Sequence, residues 1–220
     1  MKKRILRFLV PMILLVFLVI LTGCKADVVV EIYLSDLSDY AKGTVSQPVF
    51  TGTVEIELNS KDDYEKYKDT LTAILRKYFV SVGNVSYKTN ETSTESKYVA
   101  DVEINADSSK LLFFSLSKDK VLLLNFNKVA FQKLNSDLKD KDIYYETTAD
   151  ELSFRFILIN DLKKNVDLEI VGPVYVNNEP CPYTKKYTLK NREKLNIVFP
   201  DILRDYLTQI GSAPLLKVSW

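Results

Sequence analysis

Histidine is absent from this 220-residue chain. Ser-His-Asp and Cys-His mechanisms therefore cannot operate, and His-ligated zinc sites are excluded with them. Glycine is scarce, at 6 residues, which leaves little room for phosphate-cradling loops. No G-x-S-x-G, P-loop or dinucleotide fingerprint occurs. Two cysteines cannot build a disulfide framework. With 7 prolines and 27% charged against 46% hydrophobic residues, collagen-like, low-complexity and disordered classes are excluded too. Neither sign of charge dominates: 30 Lys and Arg face 29 Asp and Glu, so no basic field marks a nucleic-acid partner.

The charge is unevenly placed, however. Lys2, Lys3, Arg4 and Arg7 open the chain with no acid beside them, which leaves the remainder acidic by three. The next 14 residues that are uncharged, FLVPMILLVFLVIL at 8–21, form a continuous apolar run. As a helix this run spans about 21 Å, short of the roughly 30 Å hydrocarbon core of a bilayer. A basic start, a short apolar stretch and then small residues describe an export leader rather than a permanent span. An uncleaved anchor is the competing reading, disfavoured by length and flanks. The run ends in Leu21-Thr22-Gly23-Cys24, which resembles the lipobox of bacterial lipoproteins. The resemblance implies peptidase recognition of Leu21, Thr22 and Gly23, cleavage before Cys24, and a diacylglyceryl thioether on Cys24. Residues 1–23 would then be a signal peptide, and the mature protein would be membrane-attached, facing the periplasm or cell exterior. Each buried methylene contributes about 0.8 kcal/mol, so two or three acyl chains hold a protein stably where one does not.

If Cys24 carries lipid, Cys181 has no partner within the chain. Flanked by Pro180 and Pro182, it sits in extended backbone. Without a histidine to activate it, it reads as a small apolar residue packed in a β-layer rather than a reactive thiol.

The mature chain predicts an α+β fold in two unequal parts, an α+β region over 24–149 and a β-sandwich-like region over 150–220. The first is a mainly antiparallel sheet with one long and one short helix. The β-branched and aromatic run VVVEIYL at 28–34 reads as a strand, followed by one short helical turn capped by Ser35 or Asp36 and stopped by Gly43. PVFTGTVEIEL at 48–58 alternates cleanly, with Val54, Ile56 and Leu58 against Glu55 and Glu57. Ser60 to Asp63 has capping-box form, and beyond it Tyr64, Tyr67, Leu71, Ile74, Leu75 and Tyr78 recur on one helical face, predicting a helix over 62–79. Strands follow at 80–87 and 98–106, joined by a polar loop. A dense apolar hairpin at 111–116 and 121–126 reads as central, covered strands, and a short helix follows at 129–138. From Asp150 onward short strands recur every 8–12 residues or so, as in a small immunoglobulin-like sandwich, with Asn177-Asn178 suited to a tight turn. A helix at 201–210 and a last strand at 215–220 complete it. No linker precedes Asp150, so an extension of the first sheet is the alternative. The triplet Val-Glu-Ile occurs at 30–32, 54–56 and 102–104 without a fixed period, and reads as strand composition.

Carboxylates are the remaining route to catalysis. Asp36 and Asp39 would share a face of a helical turn. Asp137, Asp140, Asp142 and Glu146 form the densest cluster, but Lys139 and Lys141 are interleaved, as on a solvated, self-neutralising surface. Their spacing also misses the calcium-loop pattern, so no metal and no cofactor is expected. The 13 Tyr and 11 Phe fall mostly on inferred core faces.

The segments CKADVVVEIYLSDL, PVFTGTVEIEL, ILINDLKKNVDLEIVG and YTLKNREKLNIVFPDILRDYL resemble a family of uncharacterised bacterial membrane lipoproteins. The resemblance implies an envelope lipoprotein and carries no catalytic motif. The expected function is a non-enzymatic, lipid-anchored interaction module with an envelope protein partner and no nucleic acid. The alternative is a carboxylate-dependent hydrolase of an envelope glycan, which would need two facing carboxylates about 5–9.5 Å apart in a cleft.

Overall fold

The computed structural model describes residues 25–89, 96–141, 143 and 147–218. The lipobox residues Leu21 to Cys24, two members of the acidic cluster (Asp142 and Glu146) and Trp220 lie outside them. The fold is α+β, with two sheets. The larger has eight strands: β1 (Ala26–Tyr33), β2 (Phe50–Leu58), β3 (Ser81–Thr89), β4 (Ser96–Ile104), β7 (Leu152–Ile159), β9 (Val174–Val176), β10 (Glu179–Cys181) and β12 (Lys194–Val198). Their order is β10-β9-β12-β7-β1-β2-β4-β3. The smaller sheet runs β11 (Lys185–Leu189), β8 (Val166–Ile170), β13 (Ser212–Val218), β6 (Val121–Phe126) and β5 (Leu112–Leu116). Strands after Asp150 thus enter both sheets. All the pairings are antiparallel except that of β7 with β1, which is parallel and sets Ala26 opposite Leu152 and Tyr33 opposite Ile159.

The long helix α2 (Lys61–Tyr78) follows its sequence cues closely. The Ser60 hydroxyl accepts from the Asp63 amide at 3.1 Å, and the expected stripe from Tyr64 to Tyr78 is the buried face. A fully buried side chain of this size contributes about 1.5–3 kcal/mol, so six of them dock the helix without help from propensity. Helix α3 (Lys128–Lys139) is capped by Asn127, and Ala130, Leu134 and Leu138 face inward. Together α2 and α3 cover part of the inner face of the larger sheet, leaving an apolar cavity of about 60 Å³ against Ala26, Val28, Val54 and Ile56. The smaller sheet covers another part. Phe114 of β5 stands 4.9 Å from Phe50 of β2 and 6.4 Å from Phe156 of β7, centroid to centroid, so one core joins the sheets.

Three expectations change. The short helix α1 (Leu34–Ala41) begins after Tyr33 with no side-chain cap, because Ser35 instead donates from its amide and hydroxyl to the Asp161 carboxylate. The polar segment 88–97 is partly strand, since Lys88 pairs with Lys97 and Thr89 with Ser96. Only one strand of the hairpin is interior: β6 lies between β13 and β5, but β5 is an edge strand, and Phe113 and Leu123 on the outer face are only half-buried. Gly43, at φ 73°, ends α1 as the sequence predicts, and Asn177 and Asn178 take φ 50° and 68° in the β9–β10 turn.

The ends of the layered body differ. β1 and β7 begin at what we call the near end, and β12 finishes there, with Val198 opposite Arg155. From Pro200 the helix α4 (Asp201–Ile210) crosses that end and returns the chain to β13, whose Ser212 faces Asn125 near the finish of β6. Gly211, at φ 93°, permits this return. The 3-10 turn Ala149–Glu151, just before β7, packs against α4. At the far end lie α1 and the starts of β2 and β3.

Candidate functional site

Alternation in the larger sheet sends Val28, Val30, Val54, Ala100 and Val102 inward and their polar neighbours outward. Strand register then sorts the outer face into rows. One row reads Glu31, Thr51, Glu103, Ser81 across β1, β2, β4 and β3. The next holds Thr53 and Asp101. Register shifts between Val82 and Val85 where β3 bulges, and the bulge opens an outer trough of about 410 Å³ over these two rows. Its floor includes Gly52, where an added Cβ would lie 2.9 Å from the Val29 carbonyl oxygen, so only glycine fits. The polar lining is three carboxylates (Glu31, Asp101, Glu103) and three hydroxyls (Thr51, Thr53, Ser81). The Asn84 amide donates to Asp101 at 3.1 Å and the Tyr33 hydroxyl to Glu31 at 3.4 Å. Among the described residues no cation pairs with any of the three acids.

Two rows toward the near end the same face is neutralised. Lys97 Nζ lies 3.0 Å from Asp27 and 3.1 Å from Glu55, and Lys88 lies 3.0 Å from Glu55. The Ser153 hydroxyl also donates to Asp27. Burial acts to raise Asp27, but the hydrogen bonds from Ser153 and Lys97 and the charges of Lys97 and Arg155 outweigh it and hold the carboxyl below its ordinary value of 3.8. Glu55 is lowered in the same way: burial is overcome by Lys88 and Lys97.

The residues singled out by sequence are dispersed. Asp36 and Asp39 stand on α1 at the far end, where burial and then the neighbouring charges of Asp161 and Asp39 raise Asp36. Asp137 is a structural tie between helices: it accepts from Lys77 at 2.9 Å and from the Tyr78 hydroxyl at 2.8 Å. Those two hydrogen bonds lower Asp137, while burial, then its hydrogen bond to Asp137, push Tyr78 up to about 12. Asp140 ends α3. Cys181 is buried in β10, and its Sγ donates to the Tyr183 carbonyl at 3.1 Å. Among the described residues no group of three or more His, Cys, Asp and Glu is placed to hold a metal ion, and no helix is long and apolar enough to cross a membrane.

No continuous stretch of sequence marks the trough, because its acids come from two strands, β1 and β4, that meet only through β2. A cue was present nonetheless. The Val-Glu-Ile triplets place Glu31, Glu55 and Glu103 on adjacent strands with one outward face, each glutamate held between two inward residues.

The chain belongs to the family DUF7424, a domain of unknown function whose family model matches residues 26–219. No curated protein and no solved structure matches it.

Proposed function

We propose that this protein is a lipid-anchored module of a bacterial cell envelope, fastened through Cys24 after cleavage behind Leu21-Thr22-Gly23, and that it binds a cationic segment of an envelope protein partner in the outer trough. The observation that carries the binding assignment is the row of Glu31, Thr51, Glu103 and Ser81, with Asp101 beside it. Cations answer every acid in the neighbouring paired cluster, whereas the trough offers three carboxylates and three hydroxyls to solvent. Such a surface suits lysine or arginine side chains, which carboxylates bind by charge-assisted hydrogen bonds. The body serves, in an immunoglobulin-like manner, as a rigid β-layered scaffold for that surface.

The test is carbodiimide crosslinking of the full-length protein in its own membranes, which joins carboxylates to amines without a spacer. An adduct that disappears in the Glu31→Gln, Asp101→Asn, Glu103→Gln triple variant is expected. An unchanged adduct pattern would overturn the assignment. The anchor is tested separately: Cys24→Ser should abolish lipid labelling and leave an unprocessed precursor.

A further inference from the structure

We infer that the near end of the molecule docks on the phospholipid bilayer, with α4 lying on the membrane surface. The inference rests on the proposed lipidation of Cys24 for its tether, and on the fold for the rest. The tether has almost no length. Lys25 already accepts a hydrogen bond from the Glu57 amide at 3.1 Å, and β1 begins at Ala26, which is buried. Two residues span about 7 Å at full extension. A thioether at residue 24 therefore holds the near end against the headgroups instead of trailing the body on a flexible linker.

The same end carries the apolar surface. Eight large hydrophobic residues are exposed among those described, and six of them are here: Val129, Tyr175, Tyr183, Ile202, Tyr206 and Ile210. Ile202, Tyr206 and Ile210 recur at four-residue spacing along α4, with exposures of 70%, 49% and 64%, while Leu203 and Leu207 face the core. Pro173 and Pro214 adjoin this stripe in a surface hollow. Gly172 lets Tyr183 approach, for an added Cβ there would lie 2.8 Å from the Tyr183 amide nitrogen. Lys128 donates to the Gln209 carbonyl, which fixes the start of α3, and Val129 with it, beside the end of α4. The remaining two exposed residues, Val45 and Val49, follow α1 at the far end.

An amphipathic helix with tyrosine in its exposed stripe suits the interface between acyl chains and headgroups. Arg204 is satisfied within the protein by Asp201 and Asp205, so docking draws on apolar contact rather than on anionic lipid.

The test uses the full-length lipidated protein in phosphatidylcholine vesicles, with a fluorophore on Ile202→Cys or, at the far end, on Val45→Cys. Cys24 is blocked by lipid and Cys181 is buried, so the label goes to the new thiol. Nitroxide-bearing lipid should quench the label at 202, and aqueous iodide should not. The label at 45 should show the reverse. Adding Tyr206→Asp and Ile210→Asp should return the label at 202 to iodide, and adding anionic lipid should change nothing. Full access of iodide to 202 overturns the docking. Shielding from iodide without quenching by lipid nitroxide also overturns it, in favour of a second copy or another protein. Mass spectrometry of the same sample reports the acyl chains. Lipid present with iodide access at 202 refutes docking alone. Lipid absent refutes the anchor, and docking is then decided by the same two quenchers on vesicles mixed with the protein carrying Cys24→Ser as well, so that the new thiol alone takes the label.

Discussion

Two halves of one sheet face, drawn from the same strands, have opposite electrostatic character. Toward the near end Asp27 and Glu55 are held by Lys88 and Lys97, and their charge is used up within the protein. Toward the far end Glu31, Asp101 and Glu103 line a trough with no cation of their own among the described residues. Residue composition does not separate them, since both set carboxylates on outward positions of neighbouring strands, β1 and β2 in one half and β1 and β4 in the other. Register does. A lysine at 97 lies diagonally within reach of 27 and 55, whereas the positions flanking Thr51 hold acids on both sides. Surface pairs stabilise; unpaired charge on a rigid face is available to something else.

The comparison can be stressed by removing what both halves stand on. Phe114→Ala, which deletes the ring between Phe50 and Phe156, should lower stability by about 3–5 kcal/mol in denaturant unfolding and weaken both halves alike. Lys97→Met should act on one half only. It removes the cation shared by two carboxylates, leaving Asp27 to Ser153 and Glu55 to Lys88, and should cost about 1–3 kcal/mol at pH 7, read by the same unfolding curves. The pH dependence carries the same signature. Folding lowers Asp27 and Glu55 from 3.8 and 4.5, so their contribution is complete above those values and is lost as pH falls through the depressed folded-state values. Thermal melts of the wild type should therefore drop steeply at acid pH, and those of Lys97→Met less so. Ser60→Ala, remote from both halves, should cost about 1 kcal/mol through the lost cap of α2 and calibrates the scale. The smallest stability effect belongs to Asp101→Asn and Glu103→Gln, within about 0.5 kcal/mol of wild type. If those two destabilise the fold as Lys97→Met does, the trough is structural and the contrast fails.

What was legible followed from local physics. Helix α2 announced itself because period, cap and dipole-compatible charges lie within one continuous stretch, and α4 runs over 201–210 as expected after Pro200. Strands were legible from alternation to within a few residues. Pairing was not. The parallel contact of β1 with β7 leaves no trace in either segment, since both are simply apolar and β-branched. Ser35 looked like a cap because nothing nearby in sequence revealed Asp161 as its partner. Asn160, just past the end of β7, is fully buried, its amide donating to the carbonyls of Lys164, Leu189 and Lys190, partners that no local pattern marks. The trough shared this difficulty: its acids read as generic strand composition until register set them in rows.

The seam between β1 and β7 also dictates an order of assembly. Residues 26–104 can form β1, β2, β4 and β3 as soon as they are made, but β1 then waits with one edge bare until Leu152 arrives. An unpaired central strand invites other chains. A chain ending at Asp150 should accordingly self-associate in size-exclusion chromatography, whereas the full chain, with β7 in place, conceals that edge.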